Sequence, residues 1–157
     1  MPRYYVLEFQ PWANVVAVTE DGRLVLVEQH RHALGRSGLE IPGGGVDPGE
    51  DAMRAAVREL AEETGFVPDD VRLIGRHAPN PALQNNWMTT FLATGCRRLQ
   101  EPSPDPYEDL RVVLKSIPET YEAVLKGEVH HSIVIASLLM ALPHLGFSLP
   151  LPTPVSR

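Results

Sequence analysis

Apolar and β-branched residues gather in short runs at Tyr4–Phe9, Ala13–Val18 and Leu24–Val27, the pattern of strands, and Glu20-Asp21-Gly22 predicts a hairpin between the last two. From His32 to Gly49 the chain is glycine-rich and without period, so an irregular loop is expected. Asp47-Pro48-Gly49-Glu50 then reads as a helix start, with an Asp side chain to cap, proline at the first helical position and a glutamate to close a capping box. The helix is predicted to run to Thr64, where Gly65 stops it. Met53, Ala56, Val57 and Leu60 recur at helical spacing and form the stripe expected to pack on a sheet.

Three more strands are predicted at Val71–His77, Trp87–Ala93 and Leu110–Leu114. Ser116-Ile117-Pro118-Glu119 repeats the capping pattern and opens a helix to Lys126, ended by Gly127. The stretch His130–Leu142 is apolar nearly all round, which suits a buried helix or one docked on a second subunit. Prolines at 150, 152 and 154 make Leu149–Arg157 an extended tail. Strands, one helix, more strands and then helices predict an α/β fold, a mixed sheet covered by helices.

A chain of 157 residues is of single-domain length, here divided as a domain over 1–148 and a proline-rich tail over 149–157. Its net charge of −6 argues against a protein that grips nucleic acid through a general positive field. The single cysteine, Cys96, excludes an internal disulfide and a Cys-cluster zinc site. No stretch has the apolar character of a signal peptide or the roughly 20 apolar residues of a membrane span, so a soluble, cytoplasmic protein is expected.

The chemistry concentrates in Gly44-x5-Glu50-x7-Arg58-Glu59-Leu60-x-Glu62-Glu63-x-Gly65-Phe66. On a helix, Glu59, Glu62 and Glu63 are three and four residues apart, so all three carboxylates are expected on one solvated face opposite the apolar stripe. Such a set repels itself unless it is solvated or holds a cation, and an all-oxygen cluster suits Mg²⁺ or Mn²⁺ rather than zinc. Pro42-Gly43-Gly44-Gly45 can bring backbone groups to the same place, and Arg58 can pair with Glu62 or reach back to Glu50.

This spacing resembles the Nudix box at every defined position, a match expected by chance on the order of once in 10⁹ starting points. The resemblance implies a Nudix-type α/β/α sandwich and metal-dependent hydrolysis of a nucleoside diphosphate linked to another moiety. It implies Glu59 and Glu63 as principal metal ligands, Glu62 as a further ligand or catalytic helper, a backbone ligand at Gly43 and a substrate contact at Gly44. Glu50 and Arg58 would brace loop and helix. The runs Val27–His32 and Leu39–Gly43, with Ala78–Ala82 and Thr90–Ala93, are similar to the ADP-ribose and nucleoside-diphosphate-sugar pyrophosphatases. Two differences stand against strict ADP-ribose specificity: Pro-Gly-Gly-Gly where those enzymes commonly carry Pro-Ala-Gly, and the segment Asn80–Asn86.

Outside the box, Arg31 has a planar fork suited to a diphosphate or ribose, and Asn85 and Asn86 could bind sugar hydroxyls or make a turn. Glu108 is the favoured general base, since Tyr107–Val112 resembles the acidic loop-to-strand segment that supplies it in ADP-ribose enzymes; Glu128, between two helices, is the runner-up. The leading expectation is a pyrophosphatase acting on a small nucleotide, with no nucleic-acid or membrane partner. Alternatives are a nucleoside triphosphate or dinucleoside polyphosphate hydrolase and a non-catalytic sensor of ADP-ribose-like ligands. The apolar His130–Leu142 helix and the extra Tyr4–Phe9 strand, of a kind shared between subunits in the ADP-ribose-like branch, predict a homodimer.

Overall fold

The computed structural model describes residues 3–105 and 108–148, so the predicted tail over 149–157 lies outside the described residues. Eight strands form one mixed sheet: β1 (Trp12–Thr19), β2 (Arg23–Arg31), β3 (Arg36–Glu40), β4 (Gly43–Gly45), β5 (Phe66–Val67), β6 (Asp70–His77), β7 (Met88–Arg98) and β8 (Leu110–Ser116). Among the described residues three α-helices complete it: α1 (Ala52–Thr64), α2 (Ile117–Leu125) and α3 (Ser132–Ala141). β1 pairs β7 in parallel and β2 and β4 antiparallel, while β8 and β3 both pair β2.

β1 is buried on both faces and its side chains sort by the strand's two-residue period. Ala13, Val15 and Ala17 join Ala55, Ala56, Leu60, Phe91 and Ala93 on the α1 side. Val16 joins Leu24, Leu26, Leu92, Tyr121, Val134 and Leu138 on the side of α2 and α3. The result is α1, sheet, then α2 with α3: an α/β/α sandwich. Asn14 shares the Val16 face, where its Nδ2 donates to Ser137 Oγ of α3 at 2.9 Å.

The structure departs from the pattern in four places. Tyr4–Phe9 is not a strand: among the described residues it forms only an isolated bridge, from Leu7 to Gln84. The expected loop over 32–49 contains β3 and β4, formed because Gly43–Gly45 pairs Trp12–Asn14 and Arg36–Glu40 pairs Val27–Arg31. α1 starts later than Asp47. Asp47–Glu50 closes a turn in which Gly49 takes φ 85°, and Asp51 caps the helix, accepting from Met53 N at 2.9 Å. The buried stripe of α1 is therefore Ala55, Ala56, Leu60, Glu63 and Thr64, while Met53 is exposed.

At α2 the capping box of Ser116 and Glu119 forms as the sequence predicts. α3 buries Val134, Ser137, Leu138 and Ala141 but leaves Leu139 46% exposed, so one sandwich covers only part of this largely apolar helix.

Candidate active site

Glycine decides how α1 meets the sheet. β4 runs beside the helix, and a Cβ at Gly44 would come within 2.2 Å of Glu59 Oε1, so any larger residue there would displace that carboxylate from its place. One residue earlier, Gly43 N–H donates to Glu63 Oε2 at 3.2 Å. The carboxylates do not share one solvated face as the helical spacing suggests: Glu63 is 4% exposed and turned toward β4, whereas the Glu62 side chain is 43% exposed.

Arg58 ties the cluster together. Its Nε and Nη2 donate to Glu50, Nη2 also to Gly45 O at 3.0 Å, and Nη1 to Glu59 at 2.8 Å and Glu62 at 3.0 Å. The Arg58 bonds hold the Glu50 carboxyl below its ordinary range. Burial, only partly offset by Arg58, pushes Glu59 up. Glu63 is driven well up by burial first and then by the charges of Glu59 and Glu108.

Glu108 thus belongs to the same electrostatic unit. It lines a polar cleft of about 380 Å³ with Glu59, Glu62, Arg58, Gly45, Asp47, Gln10 and Asp105. Glu128 does not: its side chain lines a different cavity with Arg36, Arg111 and Lys115, and its carbonyl accepts from Leu39 N at 2.9 Å.

The donor set suits a hard divalent cation, being all carboxylate and backbone oxygen. Among the described residues no three of these side chains are gathered around one point, and the Arg58 guanidinium lies against Glu50, Glu59 and Glu62. Glu63, buried with one backbone hydrogen bond, is the group that most needs a cation.

Behind Gly43 lies a second region. Arg31 grips Glu40 through Nε at 2.8 Å and Nη2 at 2.7 Å, and the Glu40 carboxylate also meets His131 Nδ1 at 3.0 Å. These three residues line an apolar cavity of about 370 Å³ with Phe9, Trp12, Met88 and Asn86. Asn86 is buried, accepting from Gln84 Nε2 at 2.8 Å and donating to Gln10 O at 3.2 Å, while Asn85 is exposed and not among the lining residues. Trp87 stands elsewhere with the Arg76 guanidinium 4.7 Å from its ring centroid.

Glu40 and His131 were not among the site residues expected from the sequence. A glutamate between Leu39 and Ile41, one hairpin away from Arg31, was the available signal for the first. Nothing local marks His131, which reaches the site only through packing of α3.

A model of the NUDIX domain matches residues 8–130 of this chain. An ADP-ribose pyrophosphatase of Mycobacterium tuberculosis (strain ATCC 25618 / H37Rv) is 33% identical over 127 residues, covering 80% of this chain and 61% of that protein. An ADP-ribose pyrophosphatase of Bacillus subtilis (strain 168) is 32% identical over 117 residues, 74% of this chain and 63% of that protein. The methanol dehydrogenase activator of Bacillus methanolicus is 26% identical over 125 residues, 79% of this chain and 68% of that protein. The match thus spans roughly three fifths of the two pyrophosphatases. A crystal structure of an ADP compounds hydrolase superposes with a TM-score of 0.78 at 21% identity, covering 88% of this chain and 72% of that one, which supports the fold. The chain belongs to the Nudix family. No helix among the described residues is long and apolar enough to cross a membrane.

Proposed function

We propose that the protein hydrolyses the diphosphate linkage of a nucleoside diphosphate derivative, a nucleotide sugar or ADP-ribose, to a nucleoside monophosphate and a sugar phosphate. The observation that carries this reading is the gathering of Glu59, Glu62 and Glu108 around one polar cleft, with buried Glu63 behind the glycine strand and Arg58 bracing the set. Resemblance to two ADP-ribose pyrophosphatases supports the substrate class.

Glu59, Glu62 and Glu63 with the Gly43 backbone would hold a divalent cation, Mg²⁺ or Mn²⁺. When bound, such an ion neutralises diphosphate charge and lowers the pKa of the attacking water. Glu108, within the same cleft, accepts a proton from the attacking water as the water oxygen joins one phosphorus. The bridging P–O bond breaks and the second phosphate departs with the electron pair. Arg58 and Glu50 keep β4 and α1 in register, so the carboxylates are positioned before substrate arrives. Arg31 and Asn86 belong to the apolar cavity rather than to the carboxylate cleft, and Asn85 has no part in this reading.

The reading includes a second copy of the chain as partner, acting through the exposed side of α3 and the Tyr4–Phe9 segment. The test of function is phosphate release, with a coupled phosphatase, across nucleotide sugars, ADP-ribose, dinucleoside polyphosphates and triphosphates. Turnover confined to the triphosphates would replace the reading with the triphosphate alternative, and turnover of none would leave the sensor.

A further inference from the structure

β1 and β2 separate toward one end of the sheet. They pair through Ala17 opposite Val25 and Val18 opposite Leu24, and beyond these β4 takes the edge of β1 at Trp12–Asn14 while β3 takes the edge of β2 at Val27–Arg31. A narrow space of about 20 Å³ is lined there by Asn14 of β1, Gln29 of β2, Gly43 of β4, Glu63 of α1 and Val134 of α3. It therefore joins the two helical layers through the split in the sheet.

Two groups on its wall have unmet hydrogen-bonding capacity. Asn14 is 4% exposed, and its Nδ2 donates to Ser137 Oγ, which lies 3.0 Å from Thr90 Oγ1. The other end of the amide, the buried Oδ1, has no hydrogen-bond partner among the described residues, which is costly for a carbonyl oxygen shut away from solvent. Glu63 is as deeply buried and accepts one hydrogen bond, from Gly43 N–H. Gly43 stands opposite Asn14 across the β1–β4 ladder, so close that a Cβ on it would come within 2.6 Å of Asn14 Cβ. Both acceptors thus belong to residues that meet at one glycine and border one small volume.

An occupant of that volume must be small and must donate hydrogen bonds to two oxygens. A space of about 20 Å³ admits one water molecule and nothing larger. A cation is disfavoured there, because Arg31 lines the same space. Water donates twice, and buried Gln29 offers a further polar contact at the wall.

We infer that one buried water bridges Asn14 Oδ1 and the Glu63 carboxylate, which makes Asn14 a positioning residue for Glu63. This rests on the reading of Glu63 as a cation ligand. The bridge fixes the rotation of the carboxylate before the ion arrives, and such partners behind a ligand tune metal affinity. Through Asn14 and Ser137 it also ties the orientation of Glu63 to α3.

Two measurements on the full chain test it. A crystal structure without metal is expected to show one ordered water within hydrogen-bond distance of both Asn14 Oδ1 and Glu63, and a dry space overturns the assignment. In calorimetric titration with Mg²⁺ alone, Asn14→Leu, which keeps the volume and removes both polar atoms, is expected to weaken binding about tenfold. Ser137→Ala removes the same bond to α3 but leaves Oδ1 in place, so it should lower the melting temperature while Mg²⁺ affinity stays within about twofold of wild type. Equal losses of affinity in the two variants, or none in Asn14→Leu, would overturn the positioning role. Neither readout needs turnover, so a chain that gives both expected results yet cleaves no diphosphate would remove the hydrolase reading and keep the bridge.

Discussion

Arg31 holds Glu40 through two parallel hydrogen bonds of 2.8 and 2.7 Å, and the Glu40 side chain is only 5% exposed. Burial by itself pushes this carboxyl up, but the bonds from Arg31 and His131 with their charges outweigh it and hold it at about 2. The folded value lies below the ordinary one, so the pair contributes stability in full above pH about 4.5 and loses it as pH falls toward 2. The shift corresponds to about 3 kcal/mol. Glu40→Gln is predicted to lower stability near neutrality by roughly that amount, with the gap to the wild type closing as pH falls to 3. Urea unfolding at several pH values measures it, and a gap independent of pH would contradict the ion pair's role.

Glu63→Gln is predicted to lower kcat by about 10³-fold, because an amide is a poor ligand for a hard cation. On the solvated face expected from the helical spacing, the substitution would leave folding unaffected. Burial of Glu63 beside the charges of Glu59 and Glu108 changes that expectation. Removing a buried charge should raise the melting temperature of the metal-free protein while abolishing most of the stabilisation that Mg²⁺ gives the wild type. Thermal melts with EDTA and with Mg²⁺ read both effects, and a variant that melts lower than wild type in EDTA would show that the carboxylate is a structural acceptor.

Sequence resemblance favours Glu108 as the base over Glu128, and Glu108 lines the carboxylate cleft whereas Glu128 lines a different cavity. Glu108→Gln is predicted to reduce kcat by about 10²–10⁴-fold with Mg²⁺ affinity little changed, as for loss of a general base. Glu128→Gln, in the cavity with Arg36, Arg111 and Lys115, should remain within about twofold of wild type. The reverse outcome in steady-state kinetics would move the base to the loop between α2 and α3.

The apolar surface left on the single chain bears on assembly. Leu139 of α3, Leu73 of β6, and Tyr4 and Leu7 are 46–74% exposed. Sedimentation at micromolar concentration is predicted to show a species of twice 17.4 kDa. A fully active monomer would contradict the shared arrangement.

The mixed sheet covered by helices was legible because hydrophobic periodicity is a local property, and the carboxylates of α1 stood out because their spacing is fixed along one helix. Ser116 and Glu119 cap α2 as read, since a capping box needs only neighbours in sequence. The start of α1 was misread because Asp47 and Asp51 both precede a plausible first turn, and only the left-handed Gly49 decides between them. The glycine run hid β4, since glycine carries no strand signal and pairs here only because β1 lies beside it. Tyr4–Phe9 has the strand pattern, but a strand is made by its pairing, and among the described residues this segment makes only the single bridge from Leu7 to Gln84. The Arg31–Glu40–His131 contact joins β2, β3 and the start of α3, a long-range relation that no window along the chain contains.

The central claim is that these carboxylates drive metal-dependent cleavage of a diphosphate. Incubation with ADP-ribose and Mg²⁺, with products separated chromatographically, tests it most directly. The account predicts AMP and ribose 5-phosphate in equal amounts, abolished by EDTA and restored by excess Mg²⁺. Turnover that persists unchanged in EDTA, or none of ADP-ribose or any nucleotide sugar with Mg²⁺ present, would contradict it.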